Sequence, residues 1–209
     1  MSDIIEILKS VGAILTDDHF VYTSGKHGEV YINKDALYPH TKQTAFVGKM
    51  FAEKVKEAGV DVDVVVGPAL GGIILSQWVG FFLSEYLGKE VLSIYTEKDE
   101  AKNQVFTRNY DKFVKGKKVM AVEDITNTGG SLIKVVNSIK EAEGEVVAAG
   151  VMVNRDSSIT DEKIGAPFFA LGELKAEAWD ENEVPERVKK RPINVNVGHG
   201  KKYIQSKGL

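Results

Sequence analysis

Residues 117–140 read KKVMAVEDITNTGGSLIKVVNSIK, and the fold follows from how this stretch changes character along its length. An unbroken apolar run, Val119 to Val122, gives way to Glu123 and Asp124, then to a small polar loop closed by Gly129 and Gly130. Leu132, Val135, Val136 and Ile139 follow at helical spacing. A short β-branched run suits a strand buried on both faces, and the spacing behind it suits a helix packed on that strand. The order strand, acidic pair, loop, helix places Asp124 at the carboxyl end of a strand, where open α/β sheets bind ligands.

Thr126, Asn127, Thr128, Gly129 and Gly130 offer hydroxyls and unhindered amides at the positive end of a helix dipole, which suits a phosphate monoester. Two adjacent carboxylates repel a phosphate. They suit sugar hydroxyls, developing positive charge on a sugar ring, or a magnesium ion held partly through water. One loop that takes phosphate and hydroxyls together describes a ribose 5-phosphate. Singly, each residue is more often an ordinary cap or turn residue; the complete string is more specific.

The run VMAVEDITNTGGS resembles the phosphoribosyl pyrophosphate signature of type I phosphoribosyltransferases. That resemblance implies an α/β fold with a central, mostly parallel sheet flanked by helices and a small N-terminal hood. It implies that Glu123 and Asp124 bind the ribose hydroxyls and that Thr126, Asn127, Thr128, Gly129, Gly130 and Ser131 enclose the 5-phosphate. Asn127 stands where many members have Thr.

The chain has 209 residues and no Cys, enough for one substantial core and incompatible with a disulfide scaffold, thiol catalysis or a Cys-based zinc site. His and carboxylate metal sites stay open. No apolar stretch reaches membrane-span length, and MSDIIEILKS has early acidic residues and no signal-peptide pattern, so a cytoplasmic protein is expected. A net charge of −3 gives no overall attraction to nucleic acid, and Lys189-Lys190-Arg191 reads as a solvated basic turn.

Ser2-Asp3 caps an expected helix over 2–11, with Ile4, Ile5, Leu8 and Val11 on one face. Phe20 to Thr23 and Glu29 to Asn33 read as a hairpin around Ser24-Gly25-Lys26-His27-Gly28. By themselves Lys26 and His27 are ordinary turn residues. The SGK turn followed by Tyr-Ile-Asn resembles the hood of orotate phosphoribosyltransferases, which implies that Lys26, Tyr31 and Ile32 contact orotate. Thr41 to Ala58 is an amphipathic helix with Phe46, Met50, Phe51 and Val55 inward and Gly59 as its stop.

Val62 to Val66 reads as a strand and Gly67-Pro68-Ala69-Leu70-Gly71-Gly72 as a loop before an apolar helix ending near Gly88. The loop is equally an anion cradle or a site of close helix–strand packing. The resemblance makes Pro68, Ala69, Leu70, Gly71 and Gly72 the pyrophosphate loop, with Gly71 where many members have Lys. Glu90 to Tyr95 and Lys118 to Val122 read as further strands. Residues 97–112, EKDEAKNQVFTRNYDK, read as a lid whose Lys98, Lys102, Arg108 and Lys112 could meet the charge of a leaving pyrophosphate, or as a solvated hairpin. The resemblance favours the lid and makes Lys98, Lys102 and Arg108 catalytic beside Asp124.

Val146 to Val153 reads as a strand ending at Arg155, whose planar fork matches a carboxylate, and the resemblance implies that Arg155 binds orotate. Phe168 to Leu171 reads as an edge strand, and RPINVNVGHGKKYI resembles the finish of some family members. The expected organisation is one domain over 1–209, with a hood of about 1–40 plus C-terminal contributions and a core of about 41–172. The implied activity joins orotate to phosphoribosyl pyrophosphate, giving orotidine 5-monophosphate and pyrophosphate, with Mg2+ held mainly by substrate oxygens and water. The implied assembly is a homodimer with shared active sites, without nucleic-acid or membrane partners. A xanthine-type purine phosphoribosyltransferase and a noncatalytic phosphoribosyl pyrophosphate sensor are the alternatives.

Overall fold

The computed structural model describes residues 3–208, so the Ser2 cap lies outside the described residues. In chain order the elements are α1 (Ile4–Ser10), β1 (Ile14–Leu15), β2 (Phe20–Val21), β3 (His27–Gly28), β4 (Tyr31–Ile32), α2 (Thr41–Glu57), β5 (Val64–Pro68) and α3 (Gly71–Leu87). They continue as β6 (Leu92–Lys98), β7 (Gln104–Val105), β8 (Lys118–Thr126), α4 (Gly130–Glu141), β9 (Glu145–Asn154), α5 (Asp161–Ile164), β10 (Phe168–Glu173), α6 (Glu186–Lys189) and α7 (Gly200–Lys207). Contacts divide the chain into two units. One is Tyr38–Leu174 with residues 3 and 4, and the other is Ile5–Leu37 with residues 175–208.

The larger unit is built on a six-stranded sheet in the order β10-β9-β8-β5-β6-β7, parallel throughout except for β7. The chain crosses from β5 to β6 in one direction and from β8 to β9 in the other. Right-handed crossovers therefore put α3 and α4 on opposite faces. Val64, Val66, Val119, Ala121, Ala149 and Val151 share a buried cluster with Leu132, Val135, Val136 and Ile139 of α4. The intervening Val65, Met120, Val122 and Met152 are just as buried and, by the pleat, face the other layer. Both faces are covered, which is why the apolar run at 119–122 is continuous rather than alternating. Each fully buried α4 side chain contributes about 1.5–3 kcal/mol.

Helix α2 buries Thr44, Val47, Gly48, Phe51, Ala52 and Val55, and Gly59 adopts φ 65 just past its end. Phe46, expected inward, is 39% exposed. It lies next to Val47 on the flank of the stripe, so the buried face is rotated toward the small residues Thr44 and Gly48.

In the smaller unit the expected hairpin is corrected. Phe20–Val21 pairs with His27–Gly28, not with 29–33, because Tyr22 N–H already closes on Lys26 O at 2.8 Å and Gly25, at φ 82, turns the chain. The second run finds another partner: Tyr31 and Ile32 pair antiparallel with Leu15 and Ile14. These ladders are two residues long, and the C-terminal segment completes them. His27 exchanges two backbone bonds with Trp179, Asn194 N–H donates to His19 O, and His199 N–H donates to Val21 O. The Glu29 carboxylate adds a clamp, 2.8 Å from Arg187 and 3.0 Å from Arg191.

Candidate functional site

The sheet of the larger unit opens at one place. β5 stays paired with β6 out to Pro68 and Thr96, and β8 with β9 out to Thr126 and Asn154. Between β5 and β8 the ladder closes earlier, at Val66 and Ala121. This is also where the winding of the chain reverses, the crevice in which doubly wound sheets bind ligands. The loops at 68–72 and 126–131 leave the two strands that border it.

Glu123 and Asp124 lie inside β8, not beyond it, because Ile125 and Thr126 still pair with Val153 and Asn154. The expected end of the strand at Val122 is too early for the same reason. The two carboxylates are 7% and 5% exposed. By the pleat, Asp124 continues the side of Met120 and Val122, and Glu123 the side of Val119 and Ala121. Asp124 Oδ1 accepts the Ile125 N–H at 2.7 Å, and Oδ2 accepts the Tyr38 hydroxyl at 3.1 Å. Glu123 Oε1 accepts the Asp124 N–H at 3.1 Å, past the point where the β5 ladder has closed.

The 126–131 loop is braced from within. Buried Thr126 accepts the Gly129 N–H on Oγ1 at 2.9 Å. Gly129 then turns at φ 83, a conformation glycine reaches without a Cβ clash. The first intrahelical bond of α4 is Ile133 N–H to Gly129 O, so the N–H groups of Gly130, Ser131 and Leu132 precede it. No acidic residue lies in that first turn. Asn127, Thr128, Gly130 and Ser131 are exposed, an arrangement able to hold an anion.

On the other side of the crevice, the two readings of the Gly-rich loop divide among its residues. A Cβ on Gly67 would sit 2.1 Å from Gly72 O, and one on Gly72 would sit 2.5 Å from Pro68 Cδ, so this pair serves close strand–helix packing. Ala69 N–H is tied to Thr96 O at 2.8 Å, the Ala69–Leu70 peptide is cis, and Leu70 is 82% exposed at the start of α3. Arg155 follows β9 directly, and its backbone N–H donates to Thr126 O at 2.9 Å. The structure thus brings Arg155, the acidic pair and both loops to one edge of the sheet.

Residues 97–112 form a hairpin followed by a 3-10 turn at Tyr110–Phe113. Glu97 and Lys98 pair with Val105 and Gln104, and Asn103 closes the turn onto Asp99. Exposed Lys98 lies on β6, while Lys102 sits at the tip with φ 61 and its carbonyl accepts from Lys134 of α4 at 2.6 Å. Arg108 Nε is 3.5 Å from Glu97 and its guanidinium lies over Tyr95. In this arrangement Arg108 is occupied by a neighbouring carboxylate.

Lys26, Tyr31 and Ile32 belong to the smaller unit. Lys26, between β2 and β3, reaches Asp180 at 3.5 Å; Tyr31 packs on Phe20 with ring centroids 5.5 Å apart; Ile32 is buried. Beside them lies a pair with no signal in the sequence: His19 Nε2 and His27 Nδ1 are 2.8 Å apart in a buried setting. Burial lowers both pKa values from 6.5; the Arg191 carbonyl and Asp18 partly offset this at His19, while the neighbouring His19 reinforces it at His27. Tyr38 was equally hidden, since nothing periodic links position 38 to position 124.

Among the described residues no three ligating side chains converge as a metal cage. The hard oxygens of Glu123 and Asp124 fit a magnesium ion carried largely by substrate oxygens and water. Among the same residues no helix is long and apolar enough to cross a membrane.

The phosphoribosyl transferase domain family matches residues 33–189. Orotate phosphoribosyltransferase of Bartonella tribocorum is 35% identical over 184 residues, covering 88% of this chain and 90% of that protein. The orotate phosphoribosyltransferase of Thermotoga maritima is 35% identical over 181 residues, covering 86% and 89%. In fold, the chain is similar to the crystal structure of Mycobacterium tuberculosis orotate phosphoribosyltransferase in complex with inorganic phosphate, with TM-score 0.65, 21% identity and 82% and 96% of the two chains covered.

Proposed function

The chain belongs to the phosphoribosyl transferase family, and from that premise we propose that it transfers the phosphoribosyl group of phosphoribosyl pyrophosphate to orotate, releasing pyrophosphate and forming orotidine 5-monophosphate for pyrimidine synthesis. The observation that carries this reading is the opening between β5 and β8, bordered by a buried acidic pair on one strand and an anion-binding helix start directly after it. The 5-phosphate takes the N–H groups at 130–132 and the hydroxyls of Thr128 and Ser131. Glu123 and Asp124 take the ribose hydroxyls.

As the bond from the anomeric carbon to pyrophosphate breaks and the bond to the base nitrogen forms, the sugar ring gains positive charge. A fixed carboxylate nearby lowers that barrier without any protein nucleophile. The 68–72 loop receives the pyrophosphate on backbone amides, Gly71 having no side-chain charge to offer. Arg155, at the same sheet edge, pairs with the orotate carboxylate, which uracil lacks. Lys26, Tyr31 and Ile32 contact the base, and Lys98, Lys102 and Arg108 stabilise the leaving group when the hairpin moves and Arg108 leaves Glu97. Glu123 and Asp124 are the residues that would hold a magnesium ion brought in with the substrate, and the ion would supply charge neutralisation for the departing pyrophosphate. The protein works in the cytoplasm as a homodimer.

The test is a spectrophotometric assay with phosphoribosyl pyrophosphate and magnesium, offering orotate, uracil, hypoxanthine, xanthine and adenine in turn. Turnover of orotate alone is the expected result. Preference for xanthine would reassign the base, and binding of phosphoribosyl pyrophosphate without turnover of any base would make the protein a sensor.

A further inference from the structure

We infer that Thr126 is a positioning residue for the 5-phosphate: its buried hydroxyl oxygen fixes Gly129 rather than meeting the anion, and through Gly129 it sets the start of α4 that receives the anion. The inference rests on the assignment of the 126–131 loop to that phosphate. A helix start usually takes its direction from a Ser, Thr, Asp or Asn cap, whose side chain accepts the N–H of the second or third helical residue. An anion bound at the same place needs those donors for itself. Here the cap is Gly129, which has no side chain to engage them, while its carbonyl accepts the first intrahelical bond, from Ile133 N–H at 2.9 Å. A glycine cap leaves the donors of Gly130, Ser131 and Leu132 to a ligand, but it also leaves the backbone loose, since glycine reaches many conformations at little cost.

The restraint comes from three residues earlier. Thr126 Oγ1 accepts the Gly129 N–H at 2.9 Å, so strand β8 holds the amide of Gly129 and helix α4 holds its carbonyl. Thr126 is a firm anchor. It is the last residue of β8, in register with Asn154, and its own carbonyl accepts the Arg155 N–H at 2.9 Å. Its β-branched side chain has restricted rotation about χ1, which keeps the oxygen in place. Thr126 is 4% exposed, whereas Asn127, Thr128, Gly130 and Ser131 are exposed, so the loop divides into an outer set that can meet a ligand and an inner residue that frames it. A side chain at 129 could not take over the task without strain, because φ there is 83 and an added Cβ would lie 3.0 Å from Ile164 Cδ1.

The experiment compares wild type, Thr126→Val and Thr126→Ser. It reads amide hydrogen exchange at Gly129 without ligand, calorimetric titration with inorganic phosphate and with ribose 5-phosphate, and kcat and KM for phosphoribosyl pyrophosphate. Val keeps the branched shape and removes the acceptor. Expected in Thr126→Val is Gly129 exchange about tenfold faster, affinity for both phosphates weaker by about fivefold or more and KM raised to match, with kcat changed less than about threefold. Thr126→Ser, which retains the oxygen, should recover most of each loss. Unchanged exchange in Thr126→Val overturns the inference, and together with weaker affinity it would make the hydroxyl a direct ligand. Faster exchange with unchanged affinity overturns it as well, since the brace would then not position the anion, and so does a Ser variant as impaired as Val, which would assign the effect to packing. If Thr126→Val does not fold, Thr126→Ala takes its place in every comparison. A wild-type protein that binds neither phosphate nor phosphoribosyl pyrophosphate refutes the assignment of the loop and the inference with it. One that binds them and turns over no orotate refutes only the choice of base.

Discussion

Replacing Asp124 by Asn preserves the side chain's shape and removes the charge that the proposed mechanism sets against the developing sugar cation. We expect the fold to survive and kcat to fall at least about tenfold, roughly 1.4 kcal/mol in the barrier, measured by steady-state kinetics with orotate. Unchanged kinetics would take Asp124 out of the site. Arg155→Ala should weaken orotate by about 1–3 kcal/mol while leaving phosphoribosyl pyrophosphate nearly unaffected, since only one partner of a charged hydrogen bond is lost. Equal weakening of both substrates would mark Arg155 as structural. The acidic pair and its loop were legible in the sequence because they are contiguous, and the spacing carries the chemistry. Tyr38 was not, because its bond to Asp124 joins positions 86 residues apart and an aromatic before Pro39 carries no signal of its partner.

Among the elements, the join between β5 and α3 is the least tolerant of added atoms. Gly67→Ala would place a methyl group 2.1 Å from Gly72 O, a backbone atom that cannot rotate away. The cost should reach the upper part of the usual overpacking range of about 1–3 kcal/mol or exceed it, read from the urea midpoint. A midpoint equal to wild type would show that the join yields. The hairpin of β2 and β3 should instead respond to pH. An unfolded chain protonates its histidines near 6.5, whereas burial holds His19 and His27 below that value. Below about pH 6.5 the unfolded state therefore binds more protons, and stability, complete above that pH, is lost as pH falls through the folded values. Asp18 and Glu181 oppose this loss and Lys207 adds to it at His27. Thermal melts followed by Trp179 emission from pH 8 to 5 should show the decline, and His27→Gln should flatten it. Parallel slopes for the two proteins would assign the decline to other groups. Periodicity revealed the long elements, since helices and buried strands repeat their apolar pattern. The two-residue ladders are too short to do so, and turn closure at Tyr22 and Lys26 decided their pairing instead.

At the scale of the whole molecule, subunit exchange tests whether a lid serves a neighbouring site. One variant carries Lys98, Lys102 and Arg108 changed to Ala, and the other Asp124→Asn. Each alone should be nearly inactive. In a symmetric dimer with lids acting across the interface, random exchange should restore about a quarter of wild-type activity. Proven exchange without recovery would keep each lid on its own subunit. The smaller unit has a consequence of another kind, since it joins residues 5–37 to residues 175–208, segments that lie on either side of 38–174 in the sequence. On a ribosome adding about 5–20 residues per second, its first half waits roughly ten to thirty seconds for its second. During that interval Phe20, Val21, Tyr31 and Ile32 lack the C-terminal segment that later closes over their strands, and they are open to chaperones. Residues 38–174 carry their own sheet and can fold in the meantime, so the strands synthesised first are among the last to be enclosed.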